Sequence, residues 1–281
     1  AHGEILSIDV DDARSMPGVV AVYTSADLGI SDRPPFMGFF AAEAIRPFLA
    51  RDRVRFVGEP VAVVVAETAY QAADAAESVW ADISPMTAVV SLDDSAAAGT
   101  VLFETRDDNI MWQIPSSGAI DFSDCEVVVT GELWNSRVAA VSIEPRVVAA
   151  SFADGKLTYW ASSQGTHDFR DGAAKCLDMD PSEIRVLVKD VGGGFGAKGM
   201  ISEEEVIVGQ LSRLVGRPVR WVESRTENLS AFVHGRAQAQ TVTVGGTRDG
   251  GVTHYRLDVV QDCGAYAKYG VFLPEFTRQL A

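Results

Sequence analysis

Cysteine is scarce in this chain: Cys125, Cys176 and Cys263 are the only three in 281 residues. Odd in number, far apart and never spaced Cys-x-x-Cys, they indicate no disulfide framework, iron–sulfur cluster or zinc site by their spacing. They are expected as buried free thiols in a reducing compartment, which places the chain in the cytoplasm. The four histidines, His2, His167, His234 and His254, show no His-x-x-x-His, so no metal site is assigned to them. Positive charge is in deficit, with 24 Lys and Arg against 39 Asp and Glu and a net charge of −15. Without a basic stripe, nucleic acid is excluded as a partner. No run approaches the ~18 apolar residues of a membrane span. No signal peptide opens the chain, and an initiator Met is missing. Ala281 ends it without a tail, so it is expected to be a piece of something longer. There is no Gly-x-Ser-x-Gly elbow for a hydrolase. A Walker A loop fails because Ala197 precedes Lys198 and no Ser or Thr follows it. Internal repeats and low-complexity tracts are absent too.

What is present is ordinary globular material, 47% apolar and 22% charged, long enough for two domains and a substantial core. The β-branched residues 4–10 predict a strand, residues 11–16 a helical turn, and 19–24 a second strand. Residues 26–50 read as irregular, with an aromatic cluster at Phe36, Phe39 and Phe40 that pins a loop. The apolar run 60–66 predicts a strand covered on both faces. Thr68-x-x-Gln71 opens a helix to about Trp80, with Ala72, Ala75, Ala76 and Val79 as its stripe. Turn signals dominate 81–120, and Pro115-Ser116-Ser117-Gly118 suggests a domain boundary near 115–120. Strands are predicted at 127–133, 147–152 and 156–160. The last two form a hairpin over Ala153-Asp154-Gly155. A helix over Thr166 to Leu177 follows. Later strands fall at 219–223, 240–244 and 252–260.

The densest signal is an apolar run over 184–191 entering Gly192-Gly193-Gly194-Phe195-Gly196-Ala197-Lys198-Gly199. Four glycines in five residues allow positive φ and bring bare N–H groups to a ligand. A helix from Glu203 to Val215 comes next, with Ser202 and Glu205 as a capping box and Gly216 as its stop. Glu203, Glu204 and Glu205 are expected to complement the helix dipole rather than to serve as catalytic carboxylates. Strand, cradle and helix together predict a site for an anionic group. Residues 194–199 also match G-x-G-x-x-G, with Glu223 as candidate ribose ligand. That acid lies 27 residues past Gly196 rather than the usual ~20. A tight turn without any ligand is the remaining alternative.

Six motifs around this loop carry a wider resemblance. They are the opening Ala1-His2-Gly3-Glu4-Ile5-Leu6 with Met16-Pro17-Gly18-Val19; Val57-Gly58-Glu59-Pro60-Val61-Ala62; Ile143-Glu144-Pro145-Arg146 and Ser163-Gln164-Gly165; Asp190-Val191 leading into the glycine loop; Arg217-Pro218-Val219-Arg220-Trp221 through Asn228; and Asp262-Cys263-Gly264-Ala265-Tyr266. In this order they resemble the large, molybdenum-binding subunit of the xanthine dehydrogenase, aldehyde oxidase and aerobic carbon monoxide dehydrogenase family. The likeness implies an α+β chain: a small α/β hammerhead domain over 1–118, then the first part of the molybdopterin-binding domain over 119–281. It implies a molybdopterin cofactor, in bacteria commonly the cytosine dinucleotide form. It also implies hydroxylation of an aldehyde, N-heterocycle or similar carbon (or oxidation of CO), with water as oxygen source. Electrons would leave through a small 2Fe-2S subunit and a medium FAD subunit. Gln164 matches the glutamine whose amide reaches the metal's oxo ligand. Phe195 and Gly196 match the pair beside the metal, with Gly193 and Gly194 in the same cofactor loop. No side chain here ligates the metal directly. Arg236 falls where the xanthine-oxidising branch has a substrate-facing arginine. Gly199 stands where that branch has a purine-contacting glutamate, which argues against xanthine. The general-base glutamate is expected downstream of Ala281, along with the rest of the pterin pocket. The chain alone is therefore expected to be inactive. Two rivals are a nucleotide-dependent dehydrogenase using residues 194–199, and a cofactor-free assembly fragment.

Overall fold

The computed structural model describes residues 2–33, 44–97, 99–114, 118–268 and 271. The aromatic cluster at Phe36, Phe39 and Phe40 and the turn at Pro115, Ser116 and Ser117 lie outside them. The chain folds as two compact units. One is built of Ala1–Pro34, Arg46–Ala88 and Ala140–Val233, the other of Pro35–Ile45, Val89–Ala139 and His234–Ala281.

The first unit opens with β1 (Gly3–Asp9), α1 (Asp11–Ser15) and β2 (Val19–Thr24), followed by β3 (Arg53–Val54), β4 (Ala62–Ala66), α2 (Ala69–Glu77) and β5 (Trp80–Pro85). β3, β1 and β5 form one antiparallel sheet, and β2 and β4 another. β4 explains its own composition. Val63 and Val65 pack on the larger core, whereas Ala62 and Val64 pack on a small cluster of Val10, Ala13, Val22 and Ala75. Both faces are covered, so both are apolar. Thr68 caps α2 by accepting the Gln71 N–H. The helix ends at Glu77, before the expected Trp80, and Trp80 starts β5. That strand lies in a stretch where turn signals predominate in the sequence. Its residues are mostly exposed, and pairing with β1 from Trp80 to Pro85 makes it a strand.

The larger core belongs to a four-stranded sheet of β10 (Ile184–Leu187), β9 (Lys156–Ala161), β8 (Val147–Ala153) and β11 (Val219–Val222), in that order. β8 (Val147–Ala153) and β9 (Lys156–Ala161) form the expected hairpin, with Asp154 at φ 49° and Gly155 at φ 75°. Val148, Ala150, Leu157 and Tyr159 point inward. Onto them pack α4 (Thr166–Leu177), through Phe169, Ala173 and Leu177, and α5 (Glu203–Val215), through Val206, Ile207 and Leu211. Gly209 lets α5 sit close, because a Cβ there would meet Tyr159 Oη at 1.8 Å. β10 (Ile184–Leu187) is shorter than the apolar run to Val191, since its partner β9 ends at Ala161. β11 (Val219–Val222) lies at the far edge, antiparallel to β8. α6 (Arg225–Ala231) follows, capped by Ser224 and Glu227.

The second unit holds α3 (Leu92–Ala96), β6 (Val127–Asn135), β7 (Val138–Ala139), β12 (His234–Gly235), β13 (Gln238–Gly246) and β14 (Val252–Gln261). Its main sheet is antiparallel, ordered β14-β13-β6, with a bulge at Gly245 and Gly246. β7 pairs with β12.

Candidate functional site

The chain from 188 to 202 is not one tight turn but a series of them. Ala197 N–H donates to Gly194 O at 3.0 Å and Gly199 N–H to Gly196 O at 3.3 Å. Gly193 (φ 100°), Phe195 (φ 51°) and Gly196 (φ 84°) are left-handed. For an aromatic residue that conformation is unfavourable. The Phe195 ring is also 76% exposed, a second cost. Among the described residues, the N–H groups of Phe195 and Gly196 donate to no protein acceptor.

Gln164 is seated against this loop. Its own N–H donates to Lys198 O (3.0 Å), and its side-chain Oε1 accepts the Lys198 N–H (3.2 Å). The amide oxygen faces a donor, so the NH2 end is the group Gln164 offers outward. The fit leaves no room at Gly194, where a Cβ would stand 2.4 Å from Gln164 Oε1. Gln164, Gly193, Gly194, Phe195 and Gly196 are thus brought together. Arg236 belongs to the other unit, exposed, with φ 67° between β12 and β13.

Beneath the loop lies a clasp that the sequence reading assigned no role. Lys198 is buried, and its Nζ donates to Glu144 O (2.8 Å), Glu144 Oε2 (3.1 Å) and Ser162 Oγ (2.7 Å). Ser162 Oγ and Gly192 N–H also donate to Glu144 Oε2, at 2.5 and 2.9 Å. Burial raises the Glu144 pKa, but the Ser162 hydroxyl, the Gly192 N–H and Lys198 outweigh it, so the carboxyl is held below its usual range. The loop is therefore fastened at Gly192 and at Lys198, with its left-handed residues between the two fixed points.

Helix α5 does not share the cradle. Ser202 and Glu205 close its N-terminus as a capping box, as expected, which leaves less of that end to an outside anion. The three glutamates do more than complement the dipole. Glu203 pairs with Arg33 (2.9 Å) and Arg46 (3.4 Å), and Glu204 with Arg46 and Arg146 (2.6 Å each). Arg146 continues to Glu223 at 2.5 Å and lies over the Phe232 ring at 4.2 Å. Burial lowers the Arg146 pKa, yet the adjoining carboxylates hold it above the ordinary arginine value.

These observations count against the dinucleotide alternative. Glu223 is fully buried and also accepts from Asn228 Nδ2, so it cannot reach a ribose. β10 and β11 stand at opposite edges of the sheet, whereas a dinucleotide βαβ unit requires neighbouring parallel strands. Of the cysteines only Cys176 is buried; Cys125 and Cys263 are half-buried, and all three are free. Among the described residues no helix is long and apolar enough to cross a membrane.

The loop, fastened at both ends, presents backbone N–H groups beside one primary amide, a set of neutral donors suited to an anionic group. The comparisons specify which kind. Residues 102–280 match the molybdopterin cofactor-binding domain, and residues 1–86 match the a/b hammerhead domain of aldehyde oxidase and xanthine dehydrogenase. The chain belongs to this family of molybdopterin-binding large subunits. It is 36% identical to the nicotine 6-hydroxylase large subunit of Paenarthrobacter nicotinovorans, over 95% of this chain and 34% of that protein. To the carbon monoxide dehydrogenase large chain of Hydrogenophaga pseudoflava it is 31% identical, over 95% and 35%. The crystal structure of quinoline 2-oxidoreductase from Pseudomonas putida 86 superposes with a TM-score of 0.86 at 32% identity, covering 94% of this chain and 35% of that one. The chain spans about a third of the length of these relatives.

Proposed function

We propose that this chain forms one wall of the molybdopterin site in the catalytic large subunit of an oxidoreductase that hydroxylates the ring carbon of an N-heterocycle. Two relatives similar over most of the chain are named for nicotine and quinoline, which supports that class over aldehydes and CO. Gly199 in place of an acidic residue supports a substrate other than xanthine. The cofactor is the cytosine dinucleotide form, and 2Fe-2S and FAD partner subunits carry the electrons away.

The observation that carries the reading is the Gln164 clasp: its amide oxygen is fixed by Lys198, its NH2 end is free, and Gly194 leaves it room. The residues fit the group. Gln164 Nε2 and the N–H groups of Phe195 and Gly196 are fixed donors for an anionic oxygen, a strong form of electrostatic preorganisation. Bound there, molybdopterin supplies two-electron redox chemistry with oxygen drawn from water. Gly193 and Gly196 hold the loop's path, while Phe195 presents a rigid apolar ring at the same edge. Arg236 is a candidate substrate contact on the strength of its place in the family's pattern alone. The chain spans about a third of its relatives' length, and the general base and the remaining pocket walls are assigned to the part of the large subunit that it does not cover.

The test is molybdenum and nucleotide analysis of the purified parent protein. Near-stoichiometric molybdenum, with cytidine monophosphate released on acid hydrolysis, is the expected result. A molybdenum-free protein that binds NAD saturably would refute the reading.

A further inference from the structure

The second unit carries a cluster of three side chains of metal-ligating types. Asp124 and Cys125 precede β6, and His254 lies on β14, 129 residues from Cys125. One donor atom from each lies within 4.8 Å of the others. Cys125 Sγ is 3.7 Å and His254 Nε2 3.6 Å from Asp124 Oδ1, while the other ring nitrogen, His254 Nδ1, is 3.3 Å from Sγ. Ordinary zinc–ligand bond lengths give a tetrahedron with edges of about 3.4–3.6 Å, close to the two separations from Asp124 Oδ1. We propose that Asp124, Cys125 and His254 form a binding site for a divalent cation of the zinc class.

Three features of the fold support a built site rather than a chance meeting. The first is the fixing of His254. Its Nδ1 is 2.9 Å from Thr253 Oγ1, while Nε2 faces Asp124. A ligating imidazole is commonly oriented this way, one nitrogen on the metal and the other on an outer hydrogen-bond partner. The second is the bulge. Gly245 pairs with His254 and Gly246 with Val252, which leaves Thr253 as the extra residue and places it beside the ring. The third is the anchoring of the loop that carries Asp124 and Cys125. Asp121 Oδ1 accepts the Ser123 N–H at 2.9 Å, and Cys125 N–H donates to Phe122 O at 3.1 Å. Cys125 and Phe122 press so closely on Gly245 that a Cβ there would lie 2.5 Å from Sγ and 2.7 Å from the Phe122 ring.

The donor set names the ion. Thiolate and imidazole favour zinc-like cations, whereas magnesium and calcium seek all-oxygen cages. Binding forms a metal–sulfur bond and releases the Cys125 thiol proton to solvent. The Asp124 side chain is 72% exposed and His254 27%, so the ion has an approach and a fourth position open to water.

The test titrates the full chain with Zn2+ alone, in competition with a chromophoric chelator, and with Co2+ followed by absorption. One equivalent of Zn2+ is expected, and a thiolate-to-cobalt charge-transfer band. Cys125→Ser and His254→Gln should each weaken binding at least ten-fold and remove the band. Cys176→Ser and Cys263→Ser should leave both unchanged. Mapping iodoacetamide labelling on the unmodified chain gives a check that needs no variant: Zn2+ should protect Cys125 selectively. No saturable binding, a cobalt spectrum without the thiolate band, or equal labelling of Cys125 with and without Zn2+ would each overturn the proposal. Because no molybdenum is measured, the outcome is independent of the cofactor reading above.

Discussion

Gly194→Ala separates cofactor binding from folding at one atom. The new Cβ would lie 2.4 Å from Gln164 Oε1, 2.5 Å from Cδ and 2.7 Å from Cγ, closer than real Cβ contacts come. The glutamine side chain must leave. Its departure forfeits the bond from Lys198 N–H, about 0.5–1.5 kcal/mol for a neutral hydrogen bond. Gly194 is not among the left-handed residues, so alanine adds no backbone strain there and restricts the unfolded chain by about 0.4–1 kcal/mol in compensation. Net stability should therefore change by less than about 1 kcal/mol. Cofactor affinity should not escape so lightly. With Gln164 placed at the cofactor as proposed, displacing its amide removes a hydrogen bond to a charged group, about 1.5–3 kcal/mol, or roughly 10–150-fold in affinity. Urea unfolding and molybdenum analysis of the parent protein measure the two effects separately. Gly196→Ala is the contrast. Its φ of 84° penalises alanine by about 1–2 kcal/mol, although the space around it is open. Normal molybdenum content in Gly194→Ala would refute the placement of Gln164 at the cofactor. A large loss of stability would refute the steric argument itself.

Tyr159→Phe should stabilise the first unit by about 1–2 kcal/mol in urea unfolding, since its buried hydroxyl lacks a hydrogen-bond partner and costs desolvation. Gly209→Ala should destabilise it by about 1–3 kcal/mol through overpacking on that same ring, and Tyr159→Phe should rescue part of the loss. Burial pushes the Glu205 carboxyl up to about 7, against Ser202 and Arg146, which lower it. A raised folded pKa means that the unfolded carboxyl gives up its proton first as pH rises from about 4.5 to 7. Stability should fall across that window by at most about 3 kcal/mol. Glu205→Gln, which retains the capping box, should flatten the fall in unfolding curves taken at pH 5 and 7.5. Arg146→Met leaves the buried Glu223 and the half-buried Glu204 without their shared partner and should cost about 3–5 kcal/mol, read from the denaturation midpoint.

Local signals were legible in the chain wherever the physics is local. The Ser202 and Glu205 capping box, the Asp154 and Gly155 turn and the Gly216 stop all stand where their spacing put them. Ser224-x-x-Glu227 carries the same signature and opens α6, but it follows the strand over 219–223 so directly that the helix does not stand out in the sequence. β5 was hidden for a different reason: its exposed residues become a strand only by pairing with β1, some 75 residues earlier. Within the site, the glycine pattern pointed to the loop and the family motifs to Gln164. Neither pointed to Glu144 and Lys198 as the clasp, because their contact joins residues 54 apart. The separation of β10 from β11 was equally invisible, since strand order is not written in either strand.

The first unit is assembled from three stretches of chain, and the last of them does not end until Val233. During synthesis the partners of Arg33 and Arg46, namely Glu203 and Glu204, emerge long after them. At roughly 5–20 residues per second, the 145 residues from Ala88 to Val233 take about 7–30 s to appear. For that interval β2, β4 and α2 are on the ribosome without the sheet and helices that cover one face of β4 in the finished protein. The apolar stretch 61–66 is then an open target for holdase chaperones, and for pairing with the same stretch of a neighbouring nascent chain on a polysome. Yield in a heterologous host should therefore depend on chaperone supply and translation rate well before any cofactor is inserted.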